Sequence, residues 1–147
     1  MIAALEQSIE LIKRFEGCRL AAYRCPAGVL TIGWGETLGV KEGDVWTQQQ
    51  ADAVLRQRVG QFMLATLKRC QQLHAAPERL TACTSLAYNI GLGAFSASSV
   101  CRKTNRREFS AAANSFLLWN KAGGRVIRGL TLRRQAERLM YLVKAAK

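Results

Sequence analysis

Apolar residues recur at spacings of four and three through Leu5, Ile9 and Ile12, the period of a helix with one buried face. This predicts a helix over 2–15, with Gly17 as its stop. The pattern then shortens. Two strand-like runs, 20–25 and 29–32, flank the turn residues Pro26, Ala27 and Gly28. Gly33, Gly35, Gly39 and Gly43 mark a tightly turning segment that completes a small β lobe over about 17–46. At Thr47 the helical period returns. Thr47 with Gln50 three positions on is a capping-box signature. Leu55, Val59, Phe62, Thr66, Cys70 and Leu73 follow on one face, which predicts a long connecting helix over about 47–74.

The remainder, 78–147, reads as a helical lobe. Leu80, Cys83, Ala87 and Ile90 share a face over 78–90, and Gly91 and Gly93 break that helix. Shorter helices are predicted over 96–103 and 106–119, and Gly123 and Gly124 form a loop. Thr131 is placed to cap a last helix whose apolar face is Leu132, Ala136, Leu139 and Val143. The predicted class is α+β: one domain of two lobes joined by a long helix, with a cleft between them where a polymer would lie.

Composition narrows the function. The chain has 147 residues, 49% hydrophobic and 22% charged, enough to bury a core unaided. No apolar run approaches the roughly 18 residues of a membrane span. The start, MIAALEQSIELIKRFEG, lacks the basic opening and cleavage site of a signal peptide and carries Glu6 and Glu10. The expected first location is therefore a cytoplasm. Five cysteines at spacings that match no metal motif fit free thiols there. Charge is uneven. Of the net +12, residues 102–147 carry twelve Lys and Arg against Glu108 and Glu137 alone. Such a field suits a polyanion: nucleic acid, an anionic membrane surface, or an anionic wall polymer.

Glu16 is the most informative single residue. At about 100° per residue it falls in the sector of Leu5, Ile9 and Ile12, so its carboxyl points along the apolar stripe where the helix meets the β lobe. A carboxyl against apolar walls tends to keep its proton, which is what protonation of a glycosidic oxygen requires. The competing reading is a helix-end Glu that turns to solvent or pairs with Arg14 or Arg19. Residues 17–35 offer no second carboxylate, but they hold Cys25 and Thr31.

The stretch FEGCRLAAYRCPAGVLTIGWGET resembles the catalytic segment of the phage-type lysozymes. That family's pattern is Glu, eight residues, Asp or Cys, five residues, Thr; Glu16, Cys25 and Thr31 match it without a gap. Two further blocks, SLAYNIGLGAFSASSV and WNKAGGRVIRGLTLRRQAERLMY, resemble the family's cleft-lining helix and C-terminal block. Position 25 is Cys where the best-known members have Asp, and position 36 is Glu where many have His. The resemblance implies a lysozyme-like fold without a cofactor or a metal. It also implies hydrolysis of the bond between N-acetylmuramic acid and N-acetylglucosamine in peptidoglycan. Glu16 is then the general acid. Cys25 is the nucleophile or the group that activates water, and Thr31 positions it. Tyr88 and Asn89 lie beside the cleft, and Arg134 or Arg133 supplies a cation near Glu16. A soluble member of this family waits in the host cytoplasm until a holin opens the membrane, then reaches the wall, and is expected as a monomer.

Two other readings compete. A basic domain holding nucleic acid through 102–147 fits the charge but shows no recognised motif. Lytic transglycosylation of the same substrate needs only the acid.

Overall fold

The computed structural model describes residues 1–144. Helix α1, Ile2–Phe15, buries Ala4, Ser8, Ile9, Leu11 and Ile12. It stops one residue before Glu16, whose backbone is extended (φ −93°, ψ 132°) while its N–H still donates to the Ile12 carbonyl. Strands β1, Arg19–Arg24, and β2, Leu30–Gly33, pair antiparallel with Tyr23 opposite Thr31. The turn between them is closed by two backbone bonds, Gly28 N–H to the Cys25 carbonyl and Cys25 N–H to the Val29 carbonyl. Gly28 holds it at φ +80°, a left-handed conformation that glycine adopts without cost.

Helix α2, Gln48–Arg69, starts at the capping box expected at Thr47. The Gln50 N–H donates to Thr47 Oγ1 and the Thr47 N–H to Gln50 Oε1, which satisfies two otherwise orphaned donors. The α-helix ends at Arg69 rather than near His74, and a 3-10 turn, Gln71–Ala75, takes its place. Helix α3, Pro77–Ile90, is buried without a break from Leu80 to Ala87. It is the central element, with α1, α2 and the last helix around it. A helix enclosed on all sides needs apolar and small residues all round, and Thr81, Ala82, Cys83, Thr84 and Ser85 supply them.

Three short helices follow: α4, Leu92–Ala97; α5, Ser99–Asn105; and α6, Phe109–Ser115. They replace the two predicted over 96–103 and 106–119. The first break is at Ser98, which is extended and caps α5 by accepting the Cys101 N–H. The second holds Arg107 at φ +60°. Gly123 and Gly124 turn a two-residue hairpin between β3, Lys121–Ala122, and β4, Arg125–Val126.

The last helix, α7, Arg128–Leu142, departs most from expectation. It begins before Thr131, which lies inside the first turn and whose hydroxyl accepts from Asn120. Its face is also reversed. Leu132, Leu139 and Val143 are exposed, while Arg133, Arg134, Glu137 and Tyr141 are buried. The buried charges pair with one another, although Arg134 Nε and Glu137 Oε1 meet as an ion pair without hydrogen-bond geometry. Glu137 meets both arginines and accepts from Ser85 Oγ, and the Tyr141 hydroxyl bonds Thr104.

Two apolar clusters result. The larger fills the helical lobe around Leu86, Phe95, Val100 and Phe116. The smaller joins Ile9 and Ile12 to Leu55 and Val59, with Trp34 and Tyr88 against it, directly under the junction of α1 with the β lobe.

Candidate active site

The end of α1 delivers Glu16 to the rim of a cleft of about 630 Å³. Gly35, Glu36, Arg58, Phe62, Tyr88 and Asn89 line it with Glu16. Each arrives for a local reason. Ile32 and Glu36 exchange two backbone hydrogen bonds, which folds the intervening Gly-Trp-Gly into a tight loop. Gly35, at φ +95°, brings that loop to the carboxyl: a Cβ there would lie 3.7 Å from Glu16 Oε2. Tyr88 and Asn89 emerge at the end of α3, where burial gives way to exposure. The Tyr88 hydroxyl donates to the Trp34 carbonyl at 2.9 Å and its ring meets Phe62 edge-on. Burial, reinforced by the nearby Glu16 and Glu36 charges, pushes the Tyr88 phenol up, so it stays neutral and remains a donor.

Glu16 is one-quarter exposed, and its Oε1 accepts from Arg133 Nη1 at 2.8 Å. Apolar walls alone therefore do not describe its surroundings. Of the two candidate arginines, Arg133 is the one at the carboxyl. Arg134 does not line the cleft: it is fully buried, with its guanidinium on Glu137 and the Trp119 carbonyl. One step along a helix turns a side chain by about 100°, enough to separate the two. Arg133 also donates to Glu137 at 3.3 Å and to the Ser85 carbonyl, so its charge is shared across a buried network. Burial, against the pull of both guanidiniums, pushes the Glu137 carboxyl up.

Cys25 and Thr31 are brought together on the β1–β2 hairpin, outside the residues that line the cleft volume. Cys25 is half-buried and free. Hydrogen bonding from the Val29 and Ala27 backbone, and then from the Thr31 hydroxyl, holds its thiol below the usual range. Thr31 is buried and its hydroxyl also reaches the Val29 carbonyl at 2.9 Å.

The pair that sequence reasoning missed is Glu36 with Arg58. The guanidinium grips the carboxylate through both oxygens, at 2.7 and 3.0 Å, and the Leu38 N–H donates to the same group. The Arg58 contact holds the Glu36 carboxyl below the carboxylate range. The pair forms the wall between the cleft and an adjoining hollow of about 220 Å³ that reaches Trp46 and Gln61. The available signal was Arg58 itself, a cation between Leu55 and Phe62 on the buried side of α2. No group of three or more His, Cys, Asp or Glu able to hold a metal occurs among the described residues.

A family model described as phage lysozyme matches residues 13–137. The chain belongs to the phage lysozyme family. It is 41% identical to an endolysin of Acyrthosiphon pisum secondary endosymbiont phage 1, covering 92% of this chain and 95% of that one. It is 32% identical to a SAR-endolysin of bacteriophage PS34, covering 86% and 76%. The muramidase domain of SpmX from Asticaccaulis excentricus superposes with a TM-score of 0.82 at 31% identity, covering 93% of this chain and 95% of that domain. This phage lysozyme is a glycoside hydrolase, a peptidoglycan-lysing endolysin with a lysozyme fold.

Proposed function

We propose that the chain cleaves the β-1,4 bond between N-acetylmuramic acid and N-acetylglucosamine with Glu16 as general acid and Cys25 as nucleophile. The observation that carries the acid is the placement of Glu16 at the rim of the cleft, oriented by Arg133. A glycan seated there strips water from the carboxyl, the condition in which a carboxylic acid keeps a proton for transfer. Tyr88 and Asn89 form the sugar-facing wall. Arg133 replaces Arg134 as the cation of the site, acting as a positioning residue.

For Cys25, the hairpin hydrogen bonds favour the thiolate, which is a strong nucleophile and a poor base for water. Thr31 orients it. In the first step the thiolate bonds to C1 while Glu16 gives its proton to the departing oxygen. In the second, water, deprotonated by Glu16, displaces the sulfur, so the anomeric configuration is retained.

One turbidity assay on permeabilised Gram-negative cells tests these roles. Glu16→Gln is expected to lose at least about 10²-fold in rate with an unchanged circular dichroism spectrum. Cys25→Ala is expected to be severely impaired and Cys25→Asp to keep substantial activity. NMR of the fragments is expected to show the β-anomer first. A tenth of wild-type activity in Glu16→Gln removes the acid assignment. Normal lysis by Cys25→Ala, or α-anomer first, removes the nucleophile. Released fragments carrying an anhydro ring in place of an added water mean lytic transglycosylation instead.

Passage to the wall is proposed to depend on a holin. No helix among the described residues is long and apolar enough to cross a membrane. Expression in intact Gram-negative cells is expected to be tolerated until the inner membrane is opened. Spontaneous lysis would point to the signal-anchor release suggested by the PS34 relative's designation.

A further inference from the structure

Cys70 closes the C-terminus of α2, and Cys101 lies in the first turn of α5, 31 positions later. Both thiols are free and both residues are buried, yet their sulfurs lie 2.9 Å apart. A disulfide bond is about 2.0 Å long, so an approach of less than about 1 Å separates this contact from a covalent link. Neither residue touches the cleft. They sit at the far end of α2, inside the larger apolar cluster.

The two sulfurs are not equivalent. Cys101 keeps slight solvent exposure and Cys70 has none. The Cys70 S–H and the Arg69 charge hold the Cys101 thiol down, and the same pairing pushes Cys70 up. Cys101 is therefore the attacking sulfur and Cys70 the one that resolves.

We propose that Cys70 and Cys101 are an oxidation site that exchanges with low-molecular-weight disulfides to form an intramolecular bond that stabilises the helical lobe. The Cys101 thiolate bonds to one sulfur of the small disulfide and expels the other as a thiolate. Cys70 attacks Cys101 Sγ and expels the second small thiolate, which takes up the proton that Cys70 gives up. The protein is oxidised by two electrons, and the small disulfide is reduced to two thiols. The link closes a loop of about 30 residues around α3 and α4, which removes conformations from the unfolded chain. Once outside a reducing compartment, where the proposed substrate lies, the lobe is locked. Cys18 and Cys25 lie outside this pair.

The purified full-length chain is incubated with oxidised glutathione, alkylated without reduction, and mapped. Cys83 shares a tryptic peptide with Cys101, so the map is made on both wild type and Cys83→Ala. Alkylated in denaturant, Cys70 and Cys101 are expected to stay unmodified, with the Cys70 peptide joined to the Cys101 peptide in both proteins. The thermal midpoint is expected to rise by about 5–10 °C. It should fall back with dithiothreitol and not respond in Cys101→Ser, whose lysis rate stays at wild type. Cys70 and Cys101 both alkylated, a link from either through another cysteine, a lasting glutathione adduct on Cys70 or Cys101, or a linked form that melts no higher would each overturn the proposal.

Discussion

Glu16 and Glu36 line one cleft, and each meets a guanidinium in a different geometry. Arg133 touches Glu16 through one nitrogen and divides its donors with Glu137 and Ser85. Arg58 gives Glu36 two parallel bonds, the strong bidentate form. Glu36 is thus committed to its charge and serves as a wall. Its lowered carboxyl has a consequence for acid stability. A group held below its unfolded value contributes stability that is complete above the unfolded value. That contribution is lost as pH falls through the folded one. The window opens near pH 4.5, the group's ordinary value, and extends downward. Glu36→Gln is expected to lower unfolding free energy at pH 7 by about 1–2 kcal/mol and to flatten its decline below pH 4.5. Urea titrations from pH 3 to 7 check this, and parallel curves for the two proteins contradict it.

The elements divide by whether their determinants are local. The extent of α1, the capping box at Thr47 and the turn at Gly28 were legible because each is set by neighbours within a few residues. The spacing of Glu16, Cys25 and Thr31 carried meaning only through its resemblance to a family pattern, since a lone cysteine and a strand threonine announce no chemistry by themselves. The face of α7 was not legible. Binary patterning puts leucines inside and arginines outside, but Arg133 and Arg134 pair with Glu137 when buried together, and Ser85 donates to Glu137 from 52 positions away. No pattern within α7 announces that partner, nor does any near Glu16 announce Arg133, 117 positions on. The reversed face is open to measurement. Glu137→Ala leaves two buried guanidiniums short of a counter-charge and is expected to cost about 3–5 kcal/mol. Leu139→Gln, on the exposed side, is expected to stay within about 0.5 kcal/mol of wild type. The opposite ranking in urea unfolding would restore the leucine face to the core.

At the scale of the whole molecule, the network also decides how much charge faces solvent. Two of the twelve cations in 102–147, Arg133 and Arg134, are consumed inside by Glu16 and Glu137. Lys121, Arg125 and Arg128, on the β3–β4 hairpin and the start of α7, are exposed and are not among the residues that line the cleft. Exposed charges attract a polyanionic wall over about 8 Å at physiological ionic strength and about 3 Å in 1 M salt. Lysis is therefore expected to fall steeply across that range. Replacing Lys121, Arg125 and Arg128 together with Gln is expected to slow lysis at low salt and flatten the salt curve, while the rate at high salt approaches that of wild type. Both curves come from the same turbidity assay, since capture is screened by salt whereas the proton transfer proposed for Glu16 is not. If wild type and the triple variant decline in parallel, the hairpin cations do not hold the wall, and the salt sensitivity belongs to the cleft itself.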